Sequence, residues 1–130
     1  MVSASRSNPR RVLIVEDDYQ VAQLIRGLLT SDSRVEVIGR ARHGREALTM
    51  AASLNPDVIL RDLQMPVMDG VDATRRLRNL RSTARIIVLT GVDDVALIGD
   101  ARDAGADTFV TKVPTREHLV SVVLAERPAA

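Results

Sequence analysis

The sequence predicts a doubly wound α/β domain, a parallel sheet of five strands covered by helices on both faces. Short, almost unbroken apolar runs recur along the chain, as in Val12-Leu13-Ile14-Val15 and Ile86-Ile87-Val88-Leu89. Apolar residues at helical spacing follow each run. The connections between them are short. Strands buried on both faces read as continuous apolar runs, and right-handed crossovers then place helices on the two sides.

Residues 1–9 read as a flexible tail and 10–125 as one domain. Val12 to Val15 is the first strand, followed at once by Glu16-Asp17-Asp18. Val21, Leu24, Ile25, Leu28 and Leu29 then form one apolar helical face. Val35 to Gly39 is the second strand. His43-Gly44 opens a second helix on Ala47, Leu48, Ala51 and Leu54, which Asn55-Pro56 stops. Val58-Ile59-Leu60 is the third strand, ending at Asp62. Gly70 to Leu80 is the third helix, with Val71, Thr74 and Leu77 inward. The fourth strand ends in Thr90-Gly91. Asp93 and Asp94 open the fourth helix, with Val95, Leu97, Ile98 and Ala101 apolar and Ala104-Gly105-Ala106 as its end. Thr108 to Thr111 is the fifth strand, leading to Lys112. Pro114 and Thr115 open the fifth helix, with Leu119, Val122 and Val123 inward. Glu126 to Ala130 reads as a frayed end or a truncated linker.

Composition removes several function classes. The 130 residues are 45% hydrophobic and 27% charged, which suits one globular domain with its own core. A net charge of +1 gives no global field toward nucleic acid or membrane. Tyr19 and Phe109 are the only aromatic residues, so stacking platforms for single-stranded nucleic acid are not expected. Without cysteine there is no disulfide or thiolate chemistry. No apolar run approaches membrane-span length and the N-terminus lacks a signal-peptide pattern, so the expected location is cytoplasmic. Gly27, Gly39 and Gly44 have the wrong spacing for a phosphate or dinucleotide loop.

In a sheet of this kind, ligands bind outside the carboxyl ends of the strands. Those ends carry Glu16 and Asp17, Asp62, Thr90 and Lys112. Clustered carboxylates raise one another's pKa unless a cation neutralises them. A few oxygen ligands suit Mg²⁺, which keeps waters and shares phosphate oxygens. A hydroxyl and an ammonium beside it can hold the remaining phosphate oxygens. A carboxylate can also attack phosphorus and become an acyl phosphate. The rim is therefore suited to phosphoryl transfer onto an Asp.

Residues 10–125 resemble the receiver domain of two-component response regulators. The resemblance rests on Val12 to Asp18, on Asp62-Leu63-Gln64-Met65-Pro66-Val67-Met68-Asp69-Gly70, on Leu89-Thr90-Gly91, and on Ala104-Gly105-Ala106 leading to Phe109 and Lys112. Each fragment alone is weak; together, in order and at strand ends, they are specific. The resemblance implies a flavodoxin-like sheet in order 2-1-3-4-5, with the first and third strands adjacent. It implies Asp62 as phosphoacceptor and Asp17 as Mg²⁺ ligand, with Asp62 itself, the Gln64 backbone carbonyl, and Glu16 through water. It implies Thr90 and Lys112 as the phosphate-contacting pair, Thr90 and Phe109 as the switch, and a sensor histidine kinase as phosphodonor. The chain is then a signalling module that catalyses only its own phosphorylation and dephosphorylation. The wording from Asp69 to Arg78 is similar to receivers joined to LuxR-type helix-turn-helix domains, so the chain fits the receiver part of a transcriptional regulator.

The sequence departs from the family at three places. Arg61 replaces a usually apolar or small residue, and pleat alternation turns it away from Asp62, toward an acidic side chain or a partner. Val113 follows Lys112 where Pro is common. Gln64 and Val92 hold the positions that tune dephosphorylation. Blander readings stand beside the functional ones. Asp18 reads as a helix-start residue, His43 and His118 as surface residues without ligand partners, and Phe109 also suits plain core. Arg75, Arg76, Arg78, Arg81 and Arg85 read as a solvated helix face. Two other functions compete: a Mg²⁺-dependent phosphatase, which lacks its second carboxylate because Gln64 stands there, and an interaction module independent of phosphorylation. The expected contacts are protein contacts, including a phosphorylation-dependent dimer through the fourth or fifth helix, without direct DNA binding by this chain.

Overall fold

The computed structural model describes residues 8–62, 70–80, 83–90, 95–111 and 114–125. The chain alternates strands and helices: β1 (Arg10–Val15), α1 (Tyr19–Thr30), β2 (Val35–Ala41), α2 (Gly44–Leu54), β3 (Val58–Asp62), α3 (Gly70–Leu80), β4 (Arg85–Thr90), α4 (Val95–Ala104), β5 (Thr108–Thr111) and α5 (Arg116–Leu124). All strand pairs are parallel, in the order β2-β1-β3-β4-β5. The predicted fold class and strand order are those observed. β2 runs two residues past its expected end at Gly39, and its register with β1 shifts between Val12 and Leu13.

The pleat divides the core in two. Leu13, Val15, Ile59, Ile86 and Val88 pack with Ala47, Ala51, Ala73, Leu77 and Ala101, so α2, α3 and α4 cover one face. Val12, Ile14, Val58, Leu60, Ile87, Leu89 and Val110 pack with Ala22, Ile25, Leu29, Leu119 and Val123, so α1 and α5 cover the other. β3 and β4 are buried along their whole length, as their unbroken apolar runs require. Leu24, expected on the inward face of α1, is instead 53% exposed.

Caps fix where the helices begin and end. Asp18 Oδ1 accepts from the Val21 N–H at 3.0 Å, which starts α1 as its sequence position suggested. His43 Nδ1 accepts from the Glu46 N–H at 3.2 Å and caps α2. Thr115 caps α5 by accepting from the His118 N–H at 3.1 Å. Asn55 closes α2 in the left-handed region, at φ 53°, immediately before Pro56. The expected start of α4 at Asp93 and Asp94 lies outside the described residues.

Two of the five arginines assigned to a solvated face are structural. Arg78 donates from Nη1 to the Ala84 carbonyl at 2.7 Å, from Nε to the Gly105 carbonyl at 3.1 Å, and from Nη2 to Asp107 Oδ2 at 2.5 Å. The same Asp107 oxygen accepts from the Ile86 N–H at 2.8 Å. The guanidinium thus ties α3 to the α4–β5 turn and to β4. Arg85 is buried, and its Nη2 donates to the Thr108 hydroxyl at 2.8 Å. Arg76 does lie on the surface, paired with Asp72 one turn earlier.

Candidate functional site

The strand order sets β1 beside β3, with Val15 level with Arg61. Continuing that register by one residue brings Glu16 level with Asp62, the last residue of β3. Glu16 and Asp62 are buried and Asp17 is exposed. One carboxylate oxygen from each of Glu16, Asp17 and Asp62 lies within 4.8 Å of the others. Three negative charges at this separation, two of them withdrawn from water, repel one another strongly. An oxygen-only donor set of this size fits a hard divalent cation such as Mg²⁺.

The turn that carries two of these carboxylates is tied down locally. The Glu16 N–H donates to the Ala41 carbonyl at 2.9 Å. The Asp18 N–H donates to Glu16 Oε2 at 3.2 Å, which orients that carboxylate. The Asp18 carbonyl accepts the first bond of α1 from Ala22 at 3.0 Å. Arg40 of β2 also reaches this turn, a contact that neither spacing nor hydropathy signals, because its partners are backbone carbonyls distant in sequence.

Thr90 ends β4, beside β3, where Asp62 pairs with Leu89. It is buried, at 6% exposure. Pleat alternation continues Ile86 and Val88 to Thr90, so Thr90 shares the face covered by α3 and α4. Phe109 packs against that same half of the core and pairs with Val88. The hydroxyl and the ring are therefore diagonal neighbours on adjacent strands. The Arg102 guanidinium carbon lies 5.0 Å from the ring centroid, so a cation covers the half-buried ring. Lys112, Gln64 and Val92 lie outside the described residues.

Arg61, expected to turn away from Asp62 toward an acidic side chain or a partner, is fully buried. Its Nη1 donates to the Thr74 hydroxyl of α3 at 2.8 Å. Arg61 continues the alternation of Ile59, whereas Asp62 continues that of Leu60 on the opposite face.

The model of the response regulator receiver domain matches residues 12–124. The transcriptional regulatory protein LnrK of Bacillus subtilis is 32% identical over 114 residues, 88% of this chain and 52% of LnrK. A protein-glutamate methylesterase/protein-glutamine glutaminase of Nocardioides is 36% identical over 104 residues, 78% of this chain and 28% of that protein. The chain thus spans about half or less of the length of these curated relatives. Among solved structures, the signal receiver domain of NarL from Mycobacterium tuberculosis superposes with a TM-score of 0.85 at 30% identity, covering 91% of this chain and 95% of that one. The CheX-CheY-BeF3-Mg complex of Borrelia burgdorferi matches at a TM-score of 0.83 and 26% identity, covering 95% of this chain and 92% of that one. With this match, this sheet order and an acidic cluster at the carboxyl ends of its strands, the chain belongs to the response regulator receiver domain family of two-component signal transduction, whose members include transcriptional regulators.

Proposed function

We propose that this chain is a phosphoaccepting switch that takes a phosphoryl group from a sensor histidine kinase onto Asp62. The observation that carries the proposal is the convergence of Glu16, Asp17 and Asp62 oxygens within 4.8 Å. Asp17 and Asp62 would hold Mg²⁺ directly, the Gln64 carbonyl would add a ligand, and Glu16 would act through water. When bound, the ion supplies positive charge that offsets the phosphoryl oxygens. A carboxylate oxygen of Asp62 attacks phosphorus, the new P–O bond forms, and the P–N bond to the kinase histidine breaks, returning its electron pair to the imidazole. Thr90 and Lys112 contribute a hydroxyl and an ammonium to the remaining phosphate oxygens.

The shared face of Thr90 and Phe109 supports a coupled switch. A phosphoryl group adds roughly −1.5 to −2 charges and new acceptor oxygens. Thr90 moves toward them, and the ring of Phe109 fills the space that it leaves. The equilibrium of the surface formed by α4, β5 and α5 is thereby biased toward one of two states. The unit that does this is residues 10–125, acting in the cytoplasm as the receiver part of a transcriptional regulator. The regulatory names of its relatives support that output.

Intact-mass measurement after incubation with a small phosphodonor tests the proposal. The wild-type protein should gain one phosphoryl group only with Mg²⁺, Asp62→Asn none, and Asp17→Asn much less. Full labelling of Asp62→Asn would sink the assignment. An unlabelled wild-type protein that still binds its partners would favour an interaction module independent of phosphorylation.

A further inference from the structure

Arg40 of β2 reaches across the end of β1. Its Nε donates to the Glu16 carbonyl at 3.0 Å and its Nη2 to the Asp17 carbonyl at 3.0 Å. One planar fork thus binds two successive backbone carbonyls, and those two residues carry two of the three converging carboxylates. On its other side the guanidinium carbon lies 5.6 Å from the ring centroid of Tyr19, the first residue of α1. Arg40 therefore joins β2, the acidic turn and the start of α1.

We infer that Arg40 is a positioning residue for the divalent-cation site, holding the Glu16–Asp17 backbone so that the carboxylates converge before the ion arrives. The inference rests on the proposed role of that cluster in binding Mg²⁺. A turn that must be ordered on binding loses affinity, and one already ordered does not. The guanidinium suits the task because its donors sit in a rigid fork, whereas a lysine ammonium is a single point charge on a flexible stem. Charge alone argues in the opposite direction. A cation this close to the cluster repels a second cation, so a purely electrostatic Arg40 would weaken Mg²⁺ binding. Positioning and repulsion therefore predict opposite signs for a neutral substitution.

Isothermal titration calorimetry with Mg²⁺ on the wild-type, Arg40→Met and Arg40→Lys proteins separates them. Thermal unfolding of the metal-free proteins is followed in parallel, so that a loss of folding is recognised as such. Positioning predicts about tenfold weaker binding for Arg40→Met. Arg40→Lys should fall between Met and wild type, although it keeps the full charge. Amide hydrogen exchange of metal-free Arg40→Met should be faster at Asp17 and Asp18 and unchanged in β3 and β4. Equal or tighter Mg²⁺ binding by a folded Arg40→Met would overturn the inference and leave the proposed function standing. If the wild-type protein binds no divalent ion, the proposed function fails instead. Exchange at Asp17 and Asp18 then decides whether Arg40 orders the turn, and an unchanged rate overturns that as well.

Discussion

Arg61 and Thr74 are joined inside the protein, the Arg61 Nη1 donating to the Thr74 hydroxyl at 2.8 Å with both residues fully buried. The bond ties the strand that ends in Asp62 to α3, on the sheet face opposite the one Asp62 continues. Removing one member of a buried pair leaves the other desolvated. Arg61→Ala, which deletes a large and fully buried side chain, should therefore destabilise by about 2–5 kcal/mol, and Thr74→Val by about 1–3 kcal/mol. Urea unfolding measures both. Because Arg61 turns away from the acidic rim, Thr74→Val should still accept phosphate at Asp62. Unchanged stability in both variants would show that the bond contributes little.

Gly105 is held at φ +122°, a conformation that side chains rarely adopt, and a Cβ there would lie 2.7 Å from Arg78 Cγ. Gly105→Ala should cost roughly 1–3 kcal/mol from backbone strain alone. It should also disturb the bonds from Arg78 to the Gly105 and Ala84 carbonyls. Arg78→Ala removes those bonds and the ion pair with Asp107, and we expect a loss of about 3 kcal/mol. Thermal and urea unfolding should rank both variants well below wild type. A neutral Gly105→Ala would contradict the steric account.

The start of α2 carries a pH-dependent contribution. The Arg42 backbone N–H donates to Glu46 Oε1 at 2.7 Å, and the Arg42 guanidinium adds a weaker ion pair. In that order of importance, these hold the Glu46 pKa below its ordinary value of 4.5. A depressed carboxylate contributes stability that is present above the unfolded pKa and lost as pH falls through the folded one. Between about pH 5 and pH 3, urea midpoints of wild type should therefore fall more steeply than those of Glu46→Gln. Parallel slopes would contradict this. Asp32 is also held low, first by the Arg34 side chain, but that guanidinium is exposed and solvent screens the pair.

We expect this chain to act through protein contacts rather than by holding DNA. Its net charge is +1, and Arg78 and Arg85 are committed to internal bonds, which further thins the basic surface. Sedimentation of the beryllofluoride form, with and without duplex DNA, should show self-association through α4 or α5 and no DNA binding. Salt-sensitive DNA binding by these 130 residues would contradict it.

Most of the fold was legible because the apolar strands, helical faces and stop signals agreed along the chain. Asp18, Asn55 and Thr115 occupy the boundaries that their chemistry suggested. The acidic cluster was legible because parallel topology gathers strand ends, and Glu16, Asp17 and Asp62 do converge. The arginines were not legible. Arg78, Arg85 and Arg40 bond to backbone carbonyls or short polar side chains remote in sequence, and periodicity carries no trace of such partners. Leu24 shows the converse error, since an apolar residue at helical spacing does not have to face the sheet.

Locating the phosphoryl group tests the role of Asp62 most directly. The protein is phosphorylated with a small donor and Mg²⁺, the acyl phosphate is reduced with borohydride, and peptide mass spectrometry finds the reduced residue. Homoserine is expected at position 62 alone, with no reduced residue when Mg²⁺ is omitted. Reduction at Glu16 or Asp17 instead, or equal labelling without a divalent ion, would contradict it.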